Sequence, residues 1–583
     1  MARLGLLLAV ALASAAAQLS YVETSTGFQC NPELDGGRSE LELADVNDDG
    51  HIDILSVGDH GSPYINTDEH GVMVWFGDGR GGWTLYQFGE FGYGGIAVGD
   101  VNNDGLEDVG YGIHHDYSSS DLGDQLIEVA LGDGTGQNWT AWDDSLAQEG
   151  QNWGMFATDF GDIDNDGDLD VGSISFGADD GIHVYLNLGN GAWRRTFGFA
   201  GGNSRMEFHF RDVNRDGNAD IIAAHGFGSV WFGDGSGGFE PANTGLPSSS
   251  YGLSGLSVGD ADNDGGCDVA FANSSGGVEV FVWDEAGQMW RGFSGGLPGS
   301  GTFDVTALCD MNADGWTDLV AFGDGQLRVW TGDGAGNWSQ AALLTTPPAG
   351  TYSAFRTGAD FDHNGRPDIV LWAREGSWPS DINVAHAFRE ATPPESLGVF
   401  PVFPRGGEKF ACGSVQFVDW WSAAPGAEST RVRLDLSLQG PGGPWTPVEE
   451  SLRNDGRYQW VAPTGVTSPD CHFRYTVSGP AGQAQAVTPR PFAIGDTVTS
   501  VAAPRPDSVR REPGITPSPA RGWVRLTGLT GPIDYELADA VGRRVRRGRV
   551  GQDGRVDLSA LAAGVYAVRL RGSGASLRVV VRR

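Results

Sequence analysis

The chain is nearly without lysine. Lys409 is the single lysine among 38 basic residues in 583, against 76 Asp and Glu, and the formal charge is −38. No physical reason for that arginine bias is legible in the sequence. So acidic a chain does not bind nucleic acid through general electrostatics; it attracts cations. The charge is also uneven. Residues 501–583 hold 16 Arg and 7 acidic groups, a net of +9, so residues 1–500 carry −47.

Cysteine is scarce too. Five residues (Cys30, Cys267, Cys309, Cys412, Cys471) are too few for a disulfide scaffold, and with no C-x-x-C pair they do not suggest zinc. Cys412 and Cys471 fall in one candidate domain and are open to pairing after export. Cys267 and Cys309 each precede an Asp of the repeat described below and are open to pairing or burial. One cysteine is left over.

Long apolar runs are missing beyond the start. Arg3, the apolar stretch Leu4 to Ala13 and the small residues Ala15-Ala16-Ala17 before Gln18 read as a secretory signal over residues 1–17. That stretch is too short to span a ~30 Å hydrocarbon core, and no later segment is long enough. There is no nucleophile elbow, no H-E-x-x-H and no Walker loop.

Glycine is abundant: 91 residues, roughly twice average usage, without a collagen period. Such a chain turns often and is expected to be β-rich. Many of the glycines belong to a repeat. Seven nine-residue segments share D-x-[DN]-x-[DN]-G-x-x-D, and their starts are 55, 62, 50, 48, 50 and 50 residues apart. Position 1 is Asp45, Asp100, Asp162, Asp212, Asp260, Asp310 and Asp360. Position 3 is Asn47, Asn102, Asp164, Asn214, Asp262, Asn312 and Asp362. Position 5 is Asp49, Asp104, Asp166, Asp216, Asp264, Asp314 and Asn364. Position 9 is Asp53, Asp108, Asp170, Asp220, Asp268, Asp318 and Asp368.

These 28 side chains are 23 Asp and 5 Asn, all short oxygen donors. The set suits a hard cation with 6–8 oxygen ligands, and calcium better than magnesium, which prefers a tight octahedron and retained waters. Position 6 is glycine for the sharp turn, and position 7 adds its carbonyl. The expectation is up to seven Ca²⁺, one per loop, with loop 7 the weakest because of Asn364 and Pro367. A turn alone needs no fixed Asp at position 9. An EF-hand is excluded, because loop 1 has Ser56 where that motif needs a bidentate Glu.

Strand-like stretches flank each loop, and a third ends in a glycine turn, as in VWFGDGRGGW (Val74 to Trp83) and VWFGDGSGGF (Val230 to Phe239). Four short strands in about 50 residues make one propeller blade. The blades resemble FG-GAP or VCBS-type repeats, the calcium-loop blades also found in the integrin α-chain propeller. The F-G portion is literal at Phe76-Gly77 and Phe232-Gly233, degraded in blade 5 and unrecognisable in blade 7. The resemblance implies a seven-bladed propeller over residues 18–392, calcium at the loop positions just named, and ring closure open to a strand from Leu19 to Phe28.

Residues 393–495 alternate in short strands and resemble an immunoglobulin-like or fibronectin III-like β-sandwich. Residues 496–520 read as a Pro-rich linker. Residues 521–583 resemble the C-terminal sorting domain of type IX secretion substrates, through Asp539, Gly542, Arg543, Val545, Asp557 to Ser559, Leu561, Gly564 and Tyr566. That resemblance implies contact with secretion machinery and a secreted or surface location. The fold class is all-β throughout. The expected function is non-catalytic binding or adhesion, with an unidentified protein or glycan partner at the propeller loops. The alternative is a glycan-active enzyme using His114-His115-Asp116 or His60, Asp68, Glu69 and His70.

Overall fold

The computed structural model describes residues 19–28, 34–35, 40–58, 70–92, 94–113, 115–116, 122, 125–146, 155–175, 181–323, 325–344, 348–376, 382–393, 396–424 and 430–495. Nearer the C-terminus it describes 514–516, 523–527, 533–539, 543–550, 555–559, 561–562, 564–570 and 576–581. The proposed signal peptide, Cys30 and most of the linker lie outside these residues. All regular structure among them is β, and no helix is long and apolar enough to cross a membrane. The chain forms two compact units, Met1–Ala502 and Ala503–Arg583.

The first unit opens with antiparallel sheets of one design. The first contains Glu42–Ala44, Asp53–Val57, Val72–Gly77 and Trp83–Phe88 in chain order, and five more four-stranded sheets follow up to Leu343. A seventh joins Thr351–Thr357, Ile369–Glu375 and Ile382–Glu390 to Tyr21–Glu23, so the N-terminal stretch supplies its outer strand, with Tyr21 opposite Glu390. The second strand of each sheet is covered on both faces and reads as a nearly continuous apolar run after the loop's last Asp, as in Asp53–Val57 and Asp268–Ala272. Outer strands alternate, as Trp193–Ala200 does.

The sheets bury their faces on one another. One apolar cluster joins sheets 1 and 2 through Leu55, Val74, Val98 and Val109. Similar clusters join each later pair. A last one returns from sheet 7 to sheet 1 through Val370, Trp372, Ile54 and Trp75. This is the arrangement of a β-propeller. The tryptophan opening the fourth strand adds a bond between neighbours. Trp83, Trp193, Trp290 and Trp338 donate Nε1–H to the carbonyls of Thr24, Trp142, Ala242 and Phe293 at 2.7–2.8 Å. These four tryptophans therefore hold neighbouring sheets together.

Residues 398–495 form two more sheets around a shared core that includes Val418, Trp420, Leu434, Trp460, Phe473 and Phe492. This sandwich packs within the same compact unit as the propeller. Cys412 and Cys471 are not bonded to each other. Cys471, Cys267 and Cys309 are free thiols, while Cys412 Sγ donates to the Val466 carbonyl at 3.1 Å. The pairing left open by the sequence therefore does not form. The second unit has a three-stranded sheet and a four-stranded sheet ordered Arg544–Val550, Ile533–Asp539, Gly564–Leu570, Ser576–Val581.

Carboxylates on the innermost strands tie sheets together near the propeller axis. Glu40 accepts N–H bonds from Ile96 (3.2 Å) and Thr158 (3.0 Å), and Asp159 accepts one from Phe210 (2.9 Å). Beside them His209 is held well below its usual pKa, first by burial and then by Arg356 and Arg211. Its neutral form is favoured in the fold, so the stability it contributes is present above the unfolded value of about 6.5 and is lost as pH falls below it. Acidification from pH 7 to 5 should therefore add a destabilising slope from His209, opposed by buried carboxylates such as Glu40 whose pKa the fold raises, and comparing melts of the wild type with a His209 variant isolates it. His209→Gln should flatten that slope by up to about 1.4 kcal/mol per pH unit; an unchanged slope would locate the acid sensitivity elsewhere.

Candidate metal centres on the acidic loops

Each acidic loop joins the first and second strands of its sheet, and its shape is set by its own carboxylates. The position-1 Asp accepts the N–H of the position-6 glycine in all seven loops at 2.7–3.1 Å. The position-5 side chain accepts the position-7 N–H at 2.8–3.1 Å. The position-6 glycines have φ between 87° and 100°, as the motif predicts. Position 4 is also left-handed, with φ between 53° and 60° at Asp48, Asn103, Asn165, Arg215, Asn263, Ala313 and His363. Non-glycine residues rarely hold that conformation unless their surroundings impose it. Five of the seven are Asp, Asn or His, the non-glycine types that enter that region most readily, and Arg215 and Ala313 are the exceptions.

Position 9 has a role the sequence does not reveal. Its side chain is at most 3% exposed in every loop. One oxygen accepts the N–H of position 2 at 2.8–3.2 Å. The other accepts an N–H from the third strand, at Gly77, Gly132, Asn187, Gly233, Trp283, Gly332 and Glu390, at 2.7–3.1 Å. The invariant Asp is thus a staple between loop and sheet, whatever else it binds. The third-strand glycine follows from the same close approach. A Cβ on Gly77, Gly132, Gly233 or Gly332 would lie 2.2–2.3 Å from the position-8 carbonyl oxygen.

Three sets of carboxylates converge among the described residues: Asp162, Asp164 and Asp170; Asp260, Asp262 and Asp268; Asp360, Asp362 and Asp368. Within each set the ligand atoms lie within 4.8 Å of one another. These are the loops with Asp at position 3. In the other four, Asn47, Asn102, Asn214 and Asn312 turn their amide N–H to the position-5 carboxylate at 3.0–3.1 Å. Loop 7, expected to be weakest, is therefore one of the three. Asn364 sends its amide away to the Glu390 carbonyl (2.7 Å), and Arg389 pairs with Asp362 Oδ2 (2.8 Å).

The donor set fits a cation. Asp164 Oδ1 and Asp362 Oδ1 are buried without a hydrogen-bond partner, which is costly unless something positive meets them. Burial, with neighbouring carboxylates adding to it, pushes Asp53 and Asp108 up to about 8 and Asp318 up to about 9. Asp170, Asp268 and Asp368 rise well above the ordinary range for the same reason.

Most of the residues considered for catalysis are not described. His60, Asp68, Glu69 and His114 lie outside the described residues. His115–Asp116 form a short strand against Phe91–Gly92, and His70 Nδ1 meets the Gly89 carbonyl. A cavity of about 360 Å³ does lie where the propeller axis meets the sandwich. Its charges are largely paired: Arg356 with Glu42 (2.8 Å) and Glu40 (3.2 Å), Arg211 with Asp159 (3.2 Å), and Arg457 with Asp419 (3.4 Å).

Fold and loops together define a β-propeller with acidic strand-connecting loops. Three segments, residues 162–223, 212–271 and 310–371, match the FG-GAP-like repeat. No curated protein sequence matches. Similar solved structures include an Agrocybe aegerita lectin specific for non-reducing terminal N-acetylglucosamine, at 18% identity and TM-score 0.38, covering 53% of this chain and 80% of that one. The Photorhabdus luminescens Tc holotoxin pore is similar at 12% identity and TM-score 0.28, covering 73% of this chain and 23% of that one. The Malassezia sympodialis allergen Mala s 1 is similar at 9% identity and TM-score 0.27, covering 63% and 94%. No function comes across from likenesses at this level.

The two roles of the loop aspartates are separable. Asp220→Ala leaves the Val213 and Gly233 N–H groups without their acceptor, and should cost about 2–6 kcal/mol at roughly 1–3 each, with or without chelator. Asp164→Asn removes one of three mutually repelling carboxylates, so it should raise the melt in EDTA or leave it unchanged, and reduce the gain from added calcium. Equal losses for both variants in EDTA would show that position 3 is also a structural anchor.

Proposed function

We propose that this is a secreted or cell-surface protein built on a seven-bladed, calcium-binding propeller, and that it binds a partner without catalysis. The carrying observation is the convergence of Asp162, Asp164 and Asp170 around a buried, unpartnered carboxylate oxygen. Three carboxylates held that close repel one another strongly unless a cation lies between them. Side-chain oxygens at positions 1, 3, 5 and 9 and the position-7 carbonyl would hold calcium. The ion would neutralise the loop and fix it.

Recognition on this reading uses the end of the propeller away from the acidic loops. Antiparallel strands place the second-to-third connections and the sheet-to-sheet connections together at that end. Phe227, 65% exposed, lies on one of the former. Tyr251, with the Arg205 guanidinium 5.3 Å from its ring centroid, lies on one of the latter. Delivery would run through the C-terminal module by a type IX-like route, on the resemblance of its phrases; Asp539, Val545, Gly564 and Tyr566 lie on paired strands of the four-stranded sheet, and Asp557 on a strand of the three-stranded one. A glycan-active enzyme is the competing reading, and neither is favoured by the similar structures.

Metal analysis of the purified protein should find calcium, and EDTA should lower the melting temperature. Ion binding at 100-fold over Kd contributes about 2.7 kcal/mol per site. A metal-free protein with an unchanged melt would remove the calcium reading. A polysaccharide screen that found turnover would replace binding with catalysis. Secretion unaffected by deletion of residues 521–583 would remove the sorting role.

A further inference from the structure

We infer that the sandwich is seated on the propeller by a cation-sensitive latch, running from Arg405 to Val415 and completed by Gln459 and Ala424. This rests on the calcium reading and adds what the ions would control.

The latch segment crosses four successive loops against their chain order. Arg405 Nη1 donates to Asp310 Oδ2 in loop 6 at 2.8 Å. The backbone of Gly407 lies against loop 5, so close that a Cβ on Gly265 would sit 2.2 Å from the Gly407 carbonyl carbon. Lys409, the only lysine, donates to the Asp216 carbonyl of loop 4 at 2.7 Å. Val415 donates its backbone N–H to Asp162 Oδ2 of loop 3 at 2.8 Å. Elsewhere, the Gln459 amide makes two bonds to the backbone of Asp100 in loop 2, at 2.8 and 3.1 Å. The Ala424 N–H reaches the His363 carbonyl of loop 7 at 2.8 Å.

The acceptors are what make this a sensor. Asp162 Oδ2 and Asp310 Oδ2 are the same oxygens that accept the position-6 glycine N–H and so define the wrapped loop. Asp216, His363 and Asp100 offer backbone atoms whose positions depend on the loop's curvature. Removing an ion has two opposed effects. It leaves the loops more negative, which draws Arg405 and Lys409 closer. It also lets the carboxylates spread, which displaces the acceptors of the neutral donors. The neutral bonds are more numerous (Val415, Ala424 and two at Gln459), and they fail with small shifts in distance and angle. Geometry therefore outweighs charge, and the seat loosens when the ions leave.

Hydrogen–deuterium exchange of the full chain, in calcium chloride and then in EDTA, reads this directly. The amides of Val415 and Ala424 should exchange at least tenfold faster after chelation. Coupling is reciprocal, so Gln459→Ala, which removes two neutral bonds and no charge, should weaken calcium binding about fivefold or more. Absence of calcium from the protein would overturn both the latch and the calcium reading. Calcium that binds and is stripped, with Val415 and Ala424 equally protected before and after, would overturn the latch alone. Tighter calcium binding by Gln459→Ala would also overturn it.

Discussion

The buried aspartate at position 9 is the constraint on which the propeller's loops depend. Its two oxygens join the second residue of the loop to the third strand, so three parts of each sheet are fixed by one side chain. The demands that follow are local and strict. The third strand comes so near the loop's end that glycine is required in four sheets. The loop must turn sharply enough to return its position-1 carboxylate to the glycine N–H two-thirds of the way along, and position 4 is forced into the left-handed region to do so. A carboxylate buried this deeply is expensive. Two backbone donors offset part of that cost, and convergence with further carboxylates raises it again. The excess negative charge of the chain is thus concentrated where the architecture most needs compensation.

Compensation takes different forms around the ring. Four loops have Asn at position 3, whose amide bonds the adjacent carboxylate. Three have Asp there and leave carboxylate oxygens facing one another. The same three sheets replace the third-strand glycine by Asn187, Trp283 and Glu390; nothing in the structure explains that correspondence. Arg389 and Arg405 supply further positive charge at loops 7 and 6. The loops are therefore seven variants of one electrostatic problem, and their cation affinities should be unequal for that reason.

Much of this is legible in the sequence, for a physical reason: a repeat that cannot bury its faces alone announces itself by period. The loop positions, the glycine at position 6, the β class and the closing strand near Tyr21 all follow from spacing and side-chain type. What is not legible depends on distance in three dimensions. Asp at position 9 reads as a metal ligand because its second role involves a strand some 13 to 24 residues away. Position 4 is conformationally fixed and favours Asp, Asn or His in five loops, but Arg215 and Ala313 hold the same conformation and interrupt the pattern. Loop 7 looks weakest because Asn364 interrupts the carboxylate series, yet its amide is directed to Glu390 and three carboxylates still meet. The cysteines show the reverse limit: membership of one sandwich does not bring Cys412 and Cys471 into a bond.

The single lysine illustrates how composition acquires meaning only with contacts. As a count it is an unexplained deficit. In the fold its ammonium caps a loop carbonyl, within a segment that lays successive residues across neighbouring acidic loops. Such a segment would be poorly served by many flexible ammonium groups, each strongly hydrated and able to pair with whichever carboxylate is nearest. Arginine's planar fork and backbone N–H groups approach fixed oxygens from defined directions. A surface of seven similar acidic loops offers a docking partner many near-equivalent registers, and directional donors distinguish among them where point charges do not. On that argument the sandwich owes its register to Val415, Ala424 and Gln459, and its arginines reinforce a seat that the neutral donors select.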